Sequence, residues 1–313
     1  MDGKKNGMTK VSIIITNYNY GKYLMQAIES ALNQDYPQED LEIILIDDAS
    51  TDEATRRLVE SYEHPRVRKI LLRENVGVVK ARNMAIEAAS GEYILPLDAD
   101  DYFASDYVRL AAKVLDENSE VGLTYARGEL IGDACGPWLG PFNIETVLLE
   151  GGTPPGSMYR KSVWAAVGGY HDYMENGWED WDFWLSVLDH GFAIRETEGT
   201  VGFFYRIKSH SRTTDQAEKH LPELWKNLFT HHQDLYFKHP HVMWRVLEQA
   251  SHGRVIRRSP EYRLGRMVVR VINILGGGAD FQNFDALAQQ AETKEKLIKI
   301  EDGAYGRSFC CCY

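Results

Sequence analysis

The sequence predicts a doubly wound α/β domain followed by a helical extension, on three observations. Short apolar runs alternate with stretches of helical spacing from Val11 to Tyr125, the pattern of strands and helices in turn. Two of these runs end in carboxylates, Asp47-Asp48 and Asp98-Ala99-Asp100-Asp101, at the strand ends where open α/β sheets bind ligands. Beyond Thr214 the periodicity is helical throughout. Strands alternating with helices imply parallel pairing through right-handed crossovers.

Val11-Ser12-Ile13-Ile14-Ile15-Thr16 reads as the first buried strand, and Leu24, Ala27, Ile28, Ala31 and Leu32 mark the helix after it. Leu41 to Ile46 is a second strand. Ser50 and Glu53 match a Ser-x-x-Glu capping box, which starts a helix there. Val67 to Leu72 is a third strand, and Ala81, Met84, Ala85 and Ala88 mark a helix with Gly91 as its stop. Glu92 to Leu97 is the strand that runs into the acidic cluster. A helix capped near Ser105 and a strand from Val121 to Tyr125 follow. From Gly128 to Gly156 the Gly- and Pro-rich chain, with Trp138 and Phe142, reads as a long loop carrying substrate contacts. Ser162 to Val167 and Glu179 to His190 read as helices, and Val201 to Ile207 as a strand. Leu221, Leu224, Trp225, Leu228, Leu235 and Tyr236 line one face of a helix with Pro222 in its first turn. Tyr262, Met267, Val268, Val271 and Ile272 mark a second helical stretch, ended by Gly276-Gly277-Gly278. The expected division is a disordered segment 1–10, an α/β domain 11–214 and a helical extension 215–313.

Composition excludes several classes. With 44% hydrophobic and 26% charged residues the chain reads as a soluble globular protein. The net charge of −11 argues against a nucleic-acid partner. It also implies that any anionic ligand is met by a metal or a local basic cluster. No apolar run approaches the ~20 residues that span a bilayer, and no signal peptide precedes Val11, so a cytoplasmic location is expected. Cys135 stands alone and Cys310, Cys311 and Cys312 are consecutive, which is neither a zinc spacing nor a disulfide framework. Absence of a Gly-x-Gly-x-x-Gly turn after the first strand and of a Gly-Lys-Ser/Thr loop weighs against ordinary dinucleotide and ATP-hydrolysis chemistry.

The acidic strand end carries the most chemistry. Three carboxylates within four residues repel one another unless a cation neutralises them. Hard oxygen ligands suit Mg²⁺ or Mn²⁺. A solvated turn is the alternative, since Asp is common in turns.

Four blocks in order extend this reading. They are Val11 to Asn19; Ile46-Asp47-Asp48-Ala49-Ser50-Thr51-Asp52; Asn75 to Asn83 running on through Gly91-Glu92-Tyr93-Ile94 to Asp101; and Gly168-Gly169-Tyr170 with Gly177-Trp178-Glu179-Asp180. Together they cover about residues 11 to 212 and resemble the inverting glycosyltransferases of family two, which have the GT-A fold with its mixed sheet. The resemblance implies transfer of a sugar from a nucleoside diphosphate sugar, UDP-linked by expectation, to a saccharide or lipid-linked acceptor in cell-surface polysaccharide or glycoconjugate synthesis. Asp98 and Asp100 match the family's Asp-x-Asp motif. Asp100 is implied to bind Mn²⁺ or Mg²⁺, and Asp98 to hold the ribose or the metal's water shell. Thr16, Asn17 and Tyr18, with Asp47 or Asp48, are implied to form the nucleotide pocket; Asp48 could also begin a helix cap. Lys80 and Arg82 would supply positive charge near the phosphates, against the alternative of a solvated helix face. Glu179-Asp180 matches the family's Glu-Asp motif, with Asp180 as catalytic base and Glu179 orienting the acceptor; a helix N-terminus favours the same carboxylates. Trp178 is a candidate sugar platform, whereas Trp181 and Trp184 could equally be core. His210 is a candidate late metal ligand, with Lys208 or Arg212 as alternatives for that place. Asp101 is left to cap the next helix.

Arg254, Arg257, Arg258, Arg263, Arg266 and Arg270 break the acidic trend. Such a segment suits a peripheral membrane contact at the inner face, a solvated helix, or an oligomer contact. The Gln-x-x-Arg-Trp motif and membrane helices of processive synthases are missing, which favours single additions. Two rivals stand beside this reading, a sugar nucleotidyltransferase and a non-catalytic nucleotide-sugar-binding protein.

Overall fold

Parallel strands dominate the first half of the chain because their residues are apolar on both faces. In the computed structural model, which describes residues 8–138, 144–151, 154–199, 201–208, 218–240 and 242, β1 (Val11–Asn17) lies between β2 (Leu41–Asp47) and β4 (Tyr93–Asp98), parallel to both. β3 (Val67–Leu71) extends the sheet beyond β2. On the other side β9 (Met158–Arg160) runs antiparallel between β4 and β6 (Val121–Tyr125), and β10 (Ala193–Glu196) closes the edge parallel to β6. The order among the described residues is β10-β6-β9-β4-β1-β2-β3. This is the mixed α/β sheet of the expected fold class.

Helices cover both faces, as alternating side chains require. Ile14, Ile44 and Ile94 pack with α3 (Val78–Ala88), α6 (Lys161–Val167) and α7 (Glu179–Asp189). Ile13, Ile15, Ile43 and Leu95 pack on the opposite side with α1 (Gly21–Leu32), α2 (Glu53–Ser61) and α4 (Tyr107–Glu117). Leu224 and Leu228 of α8 (Glu218–His231) and Leu235 and Tyr236 of α9 (Gln233–Lys238) join the first of these cores.

Several expectations are corrected. The Gly128–Gly156 stretch is not a plain loop: it contains β7 (Gly128–Gly132), β8 (Gly136–Trp138) and the helix α5 (Ile144–Glu150). With β5 (Tyr102–Phe103) and β11 (Phe203–Ile207), β7 and β8 form a second sheet of order β5-β11-β7-β8. The capping box fails because Ser50 Oγ accepts from Asn19 N at 2.9 Å while donating to Asp47, and Asp52 caps α2 by accepting from Thr55 N at 2.8 Å. Gly91 does not stop α3, which ends at Ala88. A Cβ on Gly91 would meet Ser12 N at 2.6 Å, so close approach to β1 is what requires glycine. The N-cap position of α4 is Asp106, next to Ser105 as expected, so Asp101 does not cap that helix. The single helix expected through Tyr236 is two, broken at His232, and α8 starts four residues before Pro222. His210, Arg212, the Arg254–Arg270 segment and Cys310–Cys312 lie outside the described residues.

Candidate active site

Strand register sets the site. Parallel pairing places Asn17 beside Asp47 and Thr16 beside Asp98, so three strand ends converge at one sheet edge. Thr16 Oγ1 donates to Asp98 Oδ1 at 2.8 Å. Asn17 Nδ2 donates to Asp47 Oδ1 at 2.5 Å, and Asp47 also accepts from Ser50 N and Ser50 Oγ. Asp48 accepts from Val76 N at 2.8 Å and Gly77 N at 3.0 Å, which ties the entry to α3 to the end of β2. Burial, with the Asp47 charge behind it, raises the Asp48 carboxyl above its usual range. Tyr18 stands 39% exposed at the same edge, available for a flat ligand.

Arg82 organises the centre. Val79, Arg82 and Ile86 share the buried stripe of α3, so the guanidinium points inward and is 1% exposed. Its Nη2 donates to Asp98 Oδ1 at 2.9 Å and its Nη1 to Asp180 Oδ1 at 2.8 Å, with Glu179 Oε1 at 3.5 Å. The Tyr170 ring lies 4.9 Å below the guanidinium. Burial works against this charge, but Asp180 and Asp98 hold its pKa well above the ordinary arginine value. Asp98 and Asp180, 82 positions apart in sequence, therefore meet on one side chain. Lys80 goes elsewhere: it is exposed and pairs with Asp172 at 3.5 Å.

Asp180 and Glu179 occupy the first turn of α7 with Asp182, where the macrodipole favours negative charge. Trp178 precedes them at φ 60°, a left-handed conformation uncommon for a bulky residue. Its ring packs on Trp181 (4.9 Å) and edge-on to Trp225 of α8 (5.4 Å, 81°). Trp181 and Trp184 are core residues, each 6% exposed.

The acidic turn is closed from the second sheet. Arg206 N donates to Asp101 Oδ1 and Arg206 Nε to Asp100 O, both at 2.8 Å. Lys208 Nζ pairs with Asp100 Oδ2. Burial and the Asp98 charge raise the Asp100 carboxyl; burial and the charges of Asp100 and Asp98 push Asp101 well above its usual range. Arg206 drew no role from sequence and Asp101 only that of a helix cap; an Arg two residues before Lys208 gave no signal that its backbone would serve the turn.

The donor chemistry of the turn fits a divalent ion. Among the described residues no group of three or more His, Cys, Asp or Glu side chains is arranged to hold a metal by itself. Two carboxylates completed by substrate phosphate oxygens are, however, the usual Mg²⁺ arrangement.

Comparison with known proteins bears on the family and the fold. Residues 12–134 match the family Glycosyl transferase family 2. The poly(ribitol-phosphate) beta-N-acetylglucosaminyltransferase TarS of Staphylococcus aureus is 36% identical over 124 residues, 39% of this chain and 22% of TarS. Chondroitin synthase of Escherichia coli is 45% identical over 108 residues, 34% of this chain and 15% of that protein. Hyaluronan synthase of Pasteurella multocida is 30% identical over 199 residues, 61% of this chain and 20% of that protein. The chain thus spans about a fifth of the length of these relatives. Among solved structures, TarS superposes with a TM-score of 0.60 at 20% identity, over 77% of this chain and 43% of TarS. A TarS fragment in complex with UDP-GlcNAc gives 0.56 at 22% identity, over 66% of this chain and 61% of the fragment. No helix among the described residues is long and apolar enough to cross a membrane. Residues 12–134 are a domain of glycosyl transferase family 2, set in a fold of the GT-A type.

Proposed function

We propose that this chain transfers one sugar from a nucleoside diphosphate sugar, with UDP as the nucleotide, to an acceptor hydroxyl with inversion, in cell-surface polysaccharide or glycoconjugate synthesis. The observation that carries this reading is Arg82, which joins Asp98 of the donor side to Asp180 of the acceptor side within one buried cluster. Relatives named poly(ribitol-phosphate) beta-N-acetylglucosaminyltransferase and chondroitin synthase support the substrate class.

The chemistry needs one displacement. The acceptor oxygen attacks the anomeric carbon, the bond from that carbon to the diphosphate oxygen breaks, and the acceptor proton passes to the Asp180 carboxylate. Arg82 fixes the Asp180 carboxylate through Oδ1, and Glu179 beside it orients the acceptor. Thr16 and Arg82 together fix Asp98. Tyr18 stacks on the base, with Asn17, Asp47 and Asp48 shaping the pocket behind it. Trp178 offers a ring face to the acceptor sugar. Asp100 and Asp98 would hold Mn²⁺ or Mg²⁺, which neutralises the diphosphate and the charge on the leaving group.

Thermal-shift titration with UDP-sugars tests donor and metal together. At a hundred times Kd a bound donor adds about 2.7 kcal/mol, and the shift is expected only with Mn²⁺ or Mg²⁺. Stabilisation indifferent to metal counts against the metal assignment. Asp180→Asn is expected to lower transfer by about 10²- to 10⁴-fold, the usual worth of a general base, with UDP affinity unchanged. Undiminished turnover in that variant would remove Asp180 from the mechanism.

A further inference from the structure

Lys208 directly follows β11, and the strand end that carries it is anchored to the acidic turn at two points. Arg206 donates its backbone N–H to Asp101 and its Nε to the Asp100 carbonyl, each at 2.8 Å. The Arg206 guanidinium also lies 4.5 Å over the Tyr23 ring and donates to Gln26 Oε1 at 2.8 Å. So held, the Lys208 ammonium meets Asp100 Oδ2 on one side and the Tyr20 ring at 3.7 Å on the other. Both side chains of the pair are only 14% exposed. This is a seated cation, unlike the solvated Lys80–Asp172 pair, whose side chains are 53% and 62% exposed.

A divalent ion bound through Asp100 and an ammonium on the same carboxylate would repel each other at contact distance, and low exposure leaves that repulsion weakly screened. We propose that Lys208 is the resident counter-ion of Asp100 and sets how tightly the acidic turn takes a divalent cation. The incoming ion exchanges with the ammonium, which swings off Asp100 towards the space of the donor's diphosphate. The turn therefore takes metal poorly by itself, and a diphosphate, by receiving the displaced ammonium, favours the exchange. Metal and diphosphate then raise each other's affinity by the same factor. The inference rests on the metal-dependent reading of the Asp98–Asp100 turn given above.

Mn²⁺ titration of the full chain, followed by electron paramagnetic resonance without any nucleotide, reads this directly. Lys208→Met is expected to bind Mn²⁺ about tenfold or more tightly than the unaltered chain, the low end of what one adjacent charge does to a carboxylate. Lys208→Gln should behave alike, and Lys208→Arg should stay near the unaltered affinity. Asp100→Asn in the Lys208→Met background should abolish the gain. Equal or weaker Mn²⁺ binding in both neutral variants overturns the proposal, as does a gain that survives Asp100→Asn. Melting curves of each variant confirm that the proteins compared are folded. Because no sugar is present, tightening in these variants beside an unaltered chain that transfers no sugar from any nucleoside diphosphate sugar would sink the proposed function and leave the role of Lys208 standing.

Discussion

At the scale of single residues the centre of this molecule is one arginine that touches three carboxylates. Removing one partner of a buried ion pair typically costs about 3–5 kcal/mol, because the remaining charges lose their counter-ion. Arg82→Met is therefore expected to lower stability by that order in urea denaturation, with Asp98, Asp180 and Glu179 left facing one another. Arg82→Lys keeps the charge but not the planar fork that reaches Asp98 and Asp180 at once. Its expected signature is a smaller stability loss with transfer reduced about a hundredfold, the effect of a misplaced reacting group. Wild-type turnover in Arg82→Lys would refute the bridging role. The sequence held the signal for this residue in the spacing Val79, Arg82, Ile86, which puts the guanidinium on the apolar stripe of α3. The same stripe rules out the solvated-face alternative for Arg82, which is buried.

At the scale of elements, α7 works on two sides. Asp180 faces the site, and Asp182, two residues and about 200° further round the helix, is fully buried among His171, Tyr173 and His232. Burial would raise the Asp182 carboxyl, but hydrogen bonds from His171 and His232 hold it below its usual range. The Asp182 hydrogen bond raises the His171 pKa. Asp182 thus adds stability above the ordinary Asp pKa and loses it as pH falls through its lowered folded value. His171 adds stability below the ordinary His pKa and loses it as pH rises through its raised folded value. Both contributions are complete between about pH 4 and 6.5. The stability of the unaltered chain minus that of Asp182→Asn should peak in this window and shrink on either side. His231, stacked on Tyr173 at 3.9 Å, is lowered by burial, is common to both proteins, and largely drops out of the difference. A difference that is flat with pH would discard the account. Elements were legible where they form locally: β1, β2 and β4 are apolar runs, and α1 and α4 carry clear stripes. The second sheet was not, because β7 has only Leu130 and Ile131 as apolar side chains, beside Glu129 and between glycines, and pairs with β11, some seventy residues away. The break at His232 was hidden because apolar spacing continues through it from Leu228 to Leu235. The convergence of Asp98 and Asp180 was legible through motif order; its physical cause, a shared arginine, was not.

At the scale of the whole molecule, α8 and α9 share a core with the sheet. Leu228 is fully buried there with Trp181 and Tyr159, so Leu228→Ala is expected to cost about 2–5 kcal/mol. The loss should move a single transition, seen alike by far-ultraviolet circular dichroism and tryptophan fluorescence. An early separate transition that leaves the sheet intact would mean that the helices unfold as their own unit. The same junction has an optical consequence. Trp225 stands edge-on to Trp178 at 81° and to Trp181 at 78°, with ring centres 5.4 and 5.1 Å away. Indoles this close and this inclined couple their electronic transitions, and a chiral trio of them gives a paired positive and negative circular dichroism band. Two members of the trio, Trp178 and Trp181, flank Glu179 and Asp180 in sequence, so the protein has a native chromophore beside the proposed reaction centre. A sugar that settles on Trp178, or a helix α8 that lifts away, would each change that band in its own way, and no dye or label is needed to see it.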